Sequence, residues 1–413
     1  MDATTEPSTA LAPFRHRDFT IYQAARVILI LAGQLVIVGL QLQILQLTNS
    51  AFHLGMIGLA QVLPNLLASL PAGHVADRVN RRTIIMTCAL ANAAAVGWLA
   101  WEAAQPHPSL VAIYIACGVF GLIRAFSAPA GHAFLPALVP ESILNRAIVI
   151  HLTVFNLATV VGPAGGGFLY GERNALRVYG TAAAMFVVAY LLFALLRTRP
   201  APTPGAEPFE RAFTAGVRYV WNDKRLLGAM SLDLFAVLLG GATALLPVVA
   251  QNILHAGPPE YGFLRSAGAI GAGVAAIVLA TRPLRSRIGS WLMYGVAVYG
   301  LATIGFGLST SFPLSMALLI IAGAADMLSV TVRHTLIQVT TPDAMRGRVS
   351  AVSMIFINTS NEMGEFRAGT MAHYVGTARA ILLGGVGTVV VVLAWMGLFP
   401  SLRKADRFED KAR

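Results

Sequence analysis

Apolar runs of about twenty residues or more recur along the whole chain, separated by short stretches where Arg, Pro, Gly and Asn gather. Read between those breaks, the pattern predicts twelve membrane-spanning helices at 19–44, 52–75, 83–104, 109–132, 143–170, 176–196, 226–253, 261–281, 289–309, 312–335, 345–374 and 378–400. Inside a bilayer the backbone must satisfy its own hydrogen bonds, so apolar runs of this length read as helices. The longest polar stretch, 197–225, opens with the Pro-rich spacer RTRPAPTPGAEP. It continues as FERAFTAGVRYVWND, which reads as a short amphipathic helix on the inner membrane face. The predicted organisation is a cytoplasmic segment 1–18, a six-helix bundle 19–196, a cytoplasmic linker 197–225, a second six-helix bundle 226–400 and a cytoplasmic tail 401–413.

Composition agrees with an all-α polytopic membrane protein. Only 12% of the 413 residues are charged, against 56% hydrophobic, and the mean hydropathy is +0.68. A soluble domain usually carries about 25% charged residues. The net charge of +11 is a matter of placement. With the N-terminus inside, cytoplasmic segments hold 22 Lys and Arg, the opposite side only Arg173, Arg177 and Arg379. That bias predicts both termini cytoplasmic and removes the reason to invoke nucleic acid. The first 19 residues contain no apolar core of a cleavable leader. Cys88 and Cys117 lie in apolar runs, so no disulfide framework or cysteine metal site is expected.

The two halves align. At an offset of 202, Gly121 meets Gly323, His132 meets His334, Pro140 meets Pro342, Arg146 meets Arg348 and Gly167 meets Gly369; at 207, Gly33 meets Gly240, Gly55 meets Gly262 and Arg78 meets Arg285. Parallel six-helix repeats with a site at their interface are a transporter architecture. The segment Gly73-His-Val-Ala-Asp77-Arg78-Val-Asn80-Arg81-Arg82 resembles the loop signature of the major facilitator superfamily, with Asn80 where the family has a second Gly. Asn tolerates the left-handed conformation that a Gly would allow, so the departure is mild. Gly162-Pro163-Ala-Gly-Gly166-Gly167 resembles that family's antiporter motif, lacking an upstream glycine. FRHRDF at 14–19, Phe134-Leu-Pro-Ala-Leu-Val-Pro140, Gly216-Val-Arg-Tyr-Val220 and the stretch from Gln338 to Val349 resemble its transmembrane secretion effector branch. The resemblance implies twelve helices in two pseudo-symmetric bundles, with spans 1, 4, 7 and 10 lining a central cavity.

Ionisable residues inside spans are functional candidates by default. The repeat makes Arg26 of span 1 equivalent to Asp233 of span 7, and Arg124 of span 4 to Asp326 of span 10. Set at similar depth, these four read as a charge-paired inner gate, or alternatively as pairs fixed within one half. In span 11, Asn358, Asn361, Glu362 and Glu365 share a helical face. Crowded carboxylates suit a proton-coupling acid or recognition of a cationic cargo, unless Arg265 or Arg367 holds them ionised; Arg367 points elsewhere by spacing. Arg333 and His334 fall at the inner end of span 10, where snorkelling or helix capping is expected, and His151 reads as a hydrogen-bonded core histidine. Asp77 with Arg78, Arg81 and Arg82 reads as a conformational latch following Gly73. Gly162, Pro163, Gly166 and Gly167 read as a kink and close-packing surface.

Glycines at 268, 271 and 273 lie in an apolar helix without a preceding strand and read as packing positions, not a phosphate loop. No Walker, HExxH or GxSxG pattern occurs, so neither an enzyme nor a cofactor is expected. The sequence thus predicts a secondary transporter in a bacterial inner membrane, monomeric, exporting an amphipathic small molecule such as a siderophore, metabolite or drug against protons. A proton-coupled importer, a lipid translocase and a non-transporting receptor are the alternatives.

Overall fold

A computed structural model describes residues 12–171, 174–198, 209–282, 284 and 286–403, with only the backbone for Leu70, His74, Ala76, Asp77, His132, Ala133, Phe209, Glu210 and Ala212. Arg173, Arg285, the Pro-rich spacer to residue 208 and the tail from Lys404 lie outside the described residues. The helices of the first half are α1 (Arg17–Thr48), α2 (Ala51–Arg78), α3 (Arg81–Ala103), α4 (Leu110–Phe134), α5 (Glu141–Tyr170) and α6 (Ala175–Ala194). Helix α7 (Phe209–Asn222) is the amphipathic linker helix. The second half has α8 (Lys224–Gly240), α9 (Leu246–Val248), α10 (Pro258–Thr281), α11 (Ile288–Leu308), α12 (Phe312–Thr340), α13 (Asp343–Val375), α14 (Thr377–Leu398) and the short α15 (Pro400–Arg403).

Among the described residues, eleven helical segments are long and apolar enough to cross a membrane. Helix α13 completes the twelve: its 33 residues run alongside the others, packed against α2, α7, α8 and α14. Its mid-helix charges Glu362, Glu365 and Arg367 are buried or half-buried, which is where a bilayer tolerates them. Twelve crossings place both described chain ends on one side of the bundle, termed here the terminus side; the other is the far side.

Local chemistry sets the helix starts. Asn80 Oδ1 accepts from the Arg82 amide at 2.9 Å, Asn174 Oδ1 from the Arg177 amide at 3.1 Å and Asp223 Oδ1 from the Arg225 amide at 2.9 Å. Asn80 does not use the left-handed conformation: its φ is −57°, and it serves as an N-cap. Span 7 also differs from its predicted continuous run. Helix α8 stops at Gly240, and the chain passes through a 3-10 turn at Thr243–Leu245, through α9, and into a π turn at Val249–Ile253. A Cβ on Gly240 would lie 2.5 Å from Thr388 Oγ1 and 2.8 Å from the Tyr299 ring. The chain threads a gap there that only glycine fits.

The repeat found in the sequence is also a repeat of contacts. Within the halves, Gly121 of α4 lies against the Gln61 backbone of α2, as Gly323 of α12 lies against the Gly268 backbone of α10. Gln61 and Gly268 are themselves repeat partners at the offset of 207. Between the halves there are two seams. In one, Gly55 of α2 meets Gly369 of α13, with a Cβ on Gly55 falling 2.9 Å from the Gly369 Cα. In the other, Gly262 of α10 meets α5, where its Cβ would fall 2.6 Å from the Pro163 carbonyl oxygen and 3.0 Å from the Ala164 Cα. Such close helix approach is what small residues permit inside a membrane.

Candidate functional site

The seams position a polar cluster between the halves. Arg124, on α4, donates to the Glu362 carboxylate and, at 2.8 Å, to Asn358 Oδ1, both on α13. One turn farther along α13, Glu365 Oε1 accepts from the Thr243 hydroxyl at 3.1 Å. On the opposite wall, Gln41 of α1 accepts from the Tyr261 hydroxyl and from Arg265 Nη1 at 3.0 Å. These groups surround a small cavity of ≈ 160 Å³, lined by Gln41, Gln61, Arg124, Arg265, Glu362 and Glu365. The second Glu362 oxygen, Oε2, is buried and meets no hydrogen-bond donor among the described residues.

A larger cavity of ≈ 420 Å³ adjoins the cluster, sharing Asn361 with it. Only Phe155, Asn156 and Thr159 line it from the first half; the interrupted span 7 and helices α10 to α13 supply the rest. Irregular backbone at membrane depth is stable where it lines such a space. Asp233, Asp326 and Arg333 are its ionisable side chains, and Arg333 forms an ion pair with Asp233. A third space of ≈ 520 Å³, on the far side, is lined by amides and phenols including Gln46, Asn49, Tyr170, Asn252 and Tyr261.

The hydrogen bonds, ring contacts and close glycine approaches named here between the halves fall at mid-depth or toward the far side. They include Ser266 Oγ donating to the Val160 carbonyl at 2.6 Å and the ring pairs Phe52–His373 and Phe168–Phe263. The far side is the closed one.

The four charges expected to face one another do not form one layer in this conformation. Arg124 pairs across the halves, but with Glu362. Asp233 pairs within its own half with Arg333. Arg26 lies beside Gly131 of α4, and its Nε meets no acceptor among the described residues. Asp326 sits deeper, fourteen residues from the end of α12, because that helix runs to Thr340. Arg367 turns toward Gly384 of α14 and Met371, away from Glu362 and Glu365, as its spacing predicts. Arg333 does not snorkel: it is 2% exposed. Nothing in the sequence pairs it with the Asp233 carboxylate, a hundred residues away. Gln41 was legible in principle as one of several amides in the apolar run of span 1, but its role was missed. His151 bonds Gln23 Oε1 at 2.8 Å, as a core histidine should.

In the loop signature, Gly73 and Asp77 belong to the last turns of α2, and the Asp77 side chain lies outside the described residues. Arg78 is exposed at the helix end. Arg82 donates from Nε to the Phe193 carbonyl at 3.2 Å and from Nη2 to the Ala194 carbonyl at 2.6 Å, closing the end of α6. Arg82→Ala is therefore expected to cost about 1.5–3 kcal/mol, read as faster loss of monodisperse protein on heating; an unchanged profile would show the bonds idle. Gly162 and Gly166 admit Gln34 and Val38 of α1, while Pro163 and Gly167 face α10 across the seam.

Three comparisons bear on this geometry. Residues 8–412 match the family described as transmembrane secretion effector. The enterobactin exporter EntS of Citrobacter koseri is 28% identical over 403 residues, covering 94% of this chain and 93% of that protein. The enterobactin exporter EntS of Escherichia coli O157:H7 is 26% identical over the same coverage. Among solved structures, a POT family transporter in complex with 5-aminolevulinic acid superposes with a TM-score of 0.75 at 12% identity, covering 94% of this chain and 96% of that one. An inward-facing, unoccupied bacterial homolog of the human lysosomal transporter Spinster gives 0.72 at 15% identity, covering 95% and 96%. The D-xylose-proton symporter gives 0.71 at 13%, covering 94% and 99%. At these identities the structures speak for the fold.

Proposed function

The chain belongs to the transmembrane secretion effector family of major facilitator transporters, and on that premise we propose that it exports an amphipathic small molecule from a bacterial cytoplasm in exchange for protons. The charge bias of the loops supports placing the terminus side in the cytoplasm, which makes this conformation inward-facing. Relatives named as enterobactin exporters favour outward movement and keep a siderophore among the candidate cargoes.

The observation that carries the coupling is Glu362. One carboxylate oxygen holds Arg124 of the other half, and its other oxygen is buried without a donor. A proton on that carboxylate removes the charge that holds Arg124. Proton occupancy and separation of the halves are thereby one equilibrium. Glu365 and Arg265, lining the same small cavity, set the local field.

The test uses purified full-length protein in weakly buffered detergent, with enterobactin, tetraphenylphosphonium and a neutral macrolide added in turn. At least one compound that binds should release protons from the wild type, and Glu362→Gln should abolish the release while leaving the protein folded. Binding without proton release by every compound would overturn the coupling. Release persisting in Glu362→Gln would move it to another acid.

A further inference from the structure

The small cavity and the ≈ 420 Å³ cavity differ in charge balance. The small one holds two arginines and two glutamates, with Arg124 occupied by Glu362 and Asn358 and Arg265 by Gln41. The large one holds two carboxylates and a single guanidinium. That guanidinium is committed: Arg333 is 2% exposed and paired with Asp233, itself 6% exposed. Asp326 precedes Arg333 by seven residues on α12, two turns along the same helical face. It lines the cavity without an ion pair to any described residue. The cavity therefore holds one carboxylate in excess of its guanidinium.

The rest of the lining fits the same ligand chemistry. Tyr299, Phe306 and Phe155 supply rings, while Asn361 and Thr243 supply neutral hydrogen-bonding groups. A space of ≈ 420 Å³ lies within the range of small-molecule sites. Aromatic faces and a carboxylate together favour a weakly hydrated organic cation. An anion of the same shape would meet the Asp326 carboxylate there and be disfavoured.

We propose that cargo binds in this cavity as an organic cation, its positive charge against Asp326 and its apolar body against Tyr299, Phe306 and Phe155. The inference deepens the export reading and rests on it, adding the assignment of this cavity as the cargo site. It makes Asp326 the residue that selects cargo by charge, separate from the Arg124–Glu362 contact between the halves.

Tetraphenylphosphonium and tetraphenylborate are near-identical in shape and opposite in charge, which isolates the charge effect. Equilibrium dialysis of purified full-length protein, with detergent-only chambers to subtract micellar uptake, measures both. The wild type should bind the phosphonium at least about tenfold tighter than the borate. Asp326→Asn should erase that difference by weakening the phosphonium, and Asp326→Glu should restore it, with thermal profiles of both variants matching wild type. Equal binding of the two ions, tighter binding of the borate, or an Asp326→Asn variant that keeps the preference overturns the proposal. The assay needs no proton gradient. Selective phosphonium binding without proton release would leave this inference standing and sink the coupling, while proton release driven only by the macrolide or enterobactin, with no phosphonium preference, would do the reverse.

Discussion

Replacing Arg333 by Ala is expected to destabilise the protein by about 3–5 kcal/mol, since it leaves the Asp233 carboxylate buried without its partner. The size of the effect comes from burial: both side chains are shielded from water, so the orphaned charge has no bulk solvent to turn to. The measurement is the fraction of protein remaining monodisperse after heating, followed by size-exclusion chromatography. Asp233→Asn in the same chain removes the stranded charge, and the double variant should recover at least half of the loss. A single Arg333→Ala variant as robust as wild type would mean that water reaches the pair. No recovery in the double variant would assign the damage to lost packing volume.

The second large effect concerns the seams. A leucine at Gly55 must enter space held by the Gly369 Cα and by the Glu365 and Phe366 carbonyl oxygens, all backbone atoms that cannot rotate aside. Gly55→Leu should therefore exclude the far-side-closed state while leaving each half internally packed, and lower transport by about a hundredfold or more. Its signature lies at the other seam. Ser266 is 2% exposed and bonded to the Val160 carbonyl, so a Ser266→Cys reporter should react slowly with a maleimide in the wild-type background. In Gly55→Leu it should react rapidly, because halves that move as rigid bodies open both seams together. Slow labelling with retained transport would show that α2 bends locally instead.

Much of this architecture was legible in the sequence because lipid leaves so few options. An apolar run of twenty residues has one stable conformation in a bilayer, and eleven of the runs and the amphipathic helix at 209–222 appear as helices, span 7 being interrupted after Gly240. The offsets of 202 and 207 did more: they paired Gly55 with Gly262 and Gly167 with Gly369, which proved to be the two seams. Partner choice was not legible. Arg124 finds Glu362 across 238 residues, and the repeat instead suggested Asp326, because a repeat reports equivalent positions and says nothing of which positions touch. The interruption after Gly240 was hidden for a related reason. Two glycines in an apolar run are compatible with a continuous helix, and only the crowding by Thr388 and Tyr299 reveals why this one stops.

The lopsided lining of the larger cavity carries a consequence for how such a protein diversifies. Two copies of one ancestral unit began with equal claims on the central space, yet only three residues of the first copy now reach it. The first copy serves mainly as a wall and a seam, under steric constraint from its partner. The second supplies that cavity's interrupted span and all three of its charged side chains. With cargo held there as proposed, its selection rests on side chains of the second copy, and the first copy can stay as it is while the cargo changes.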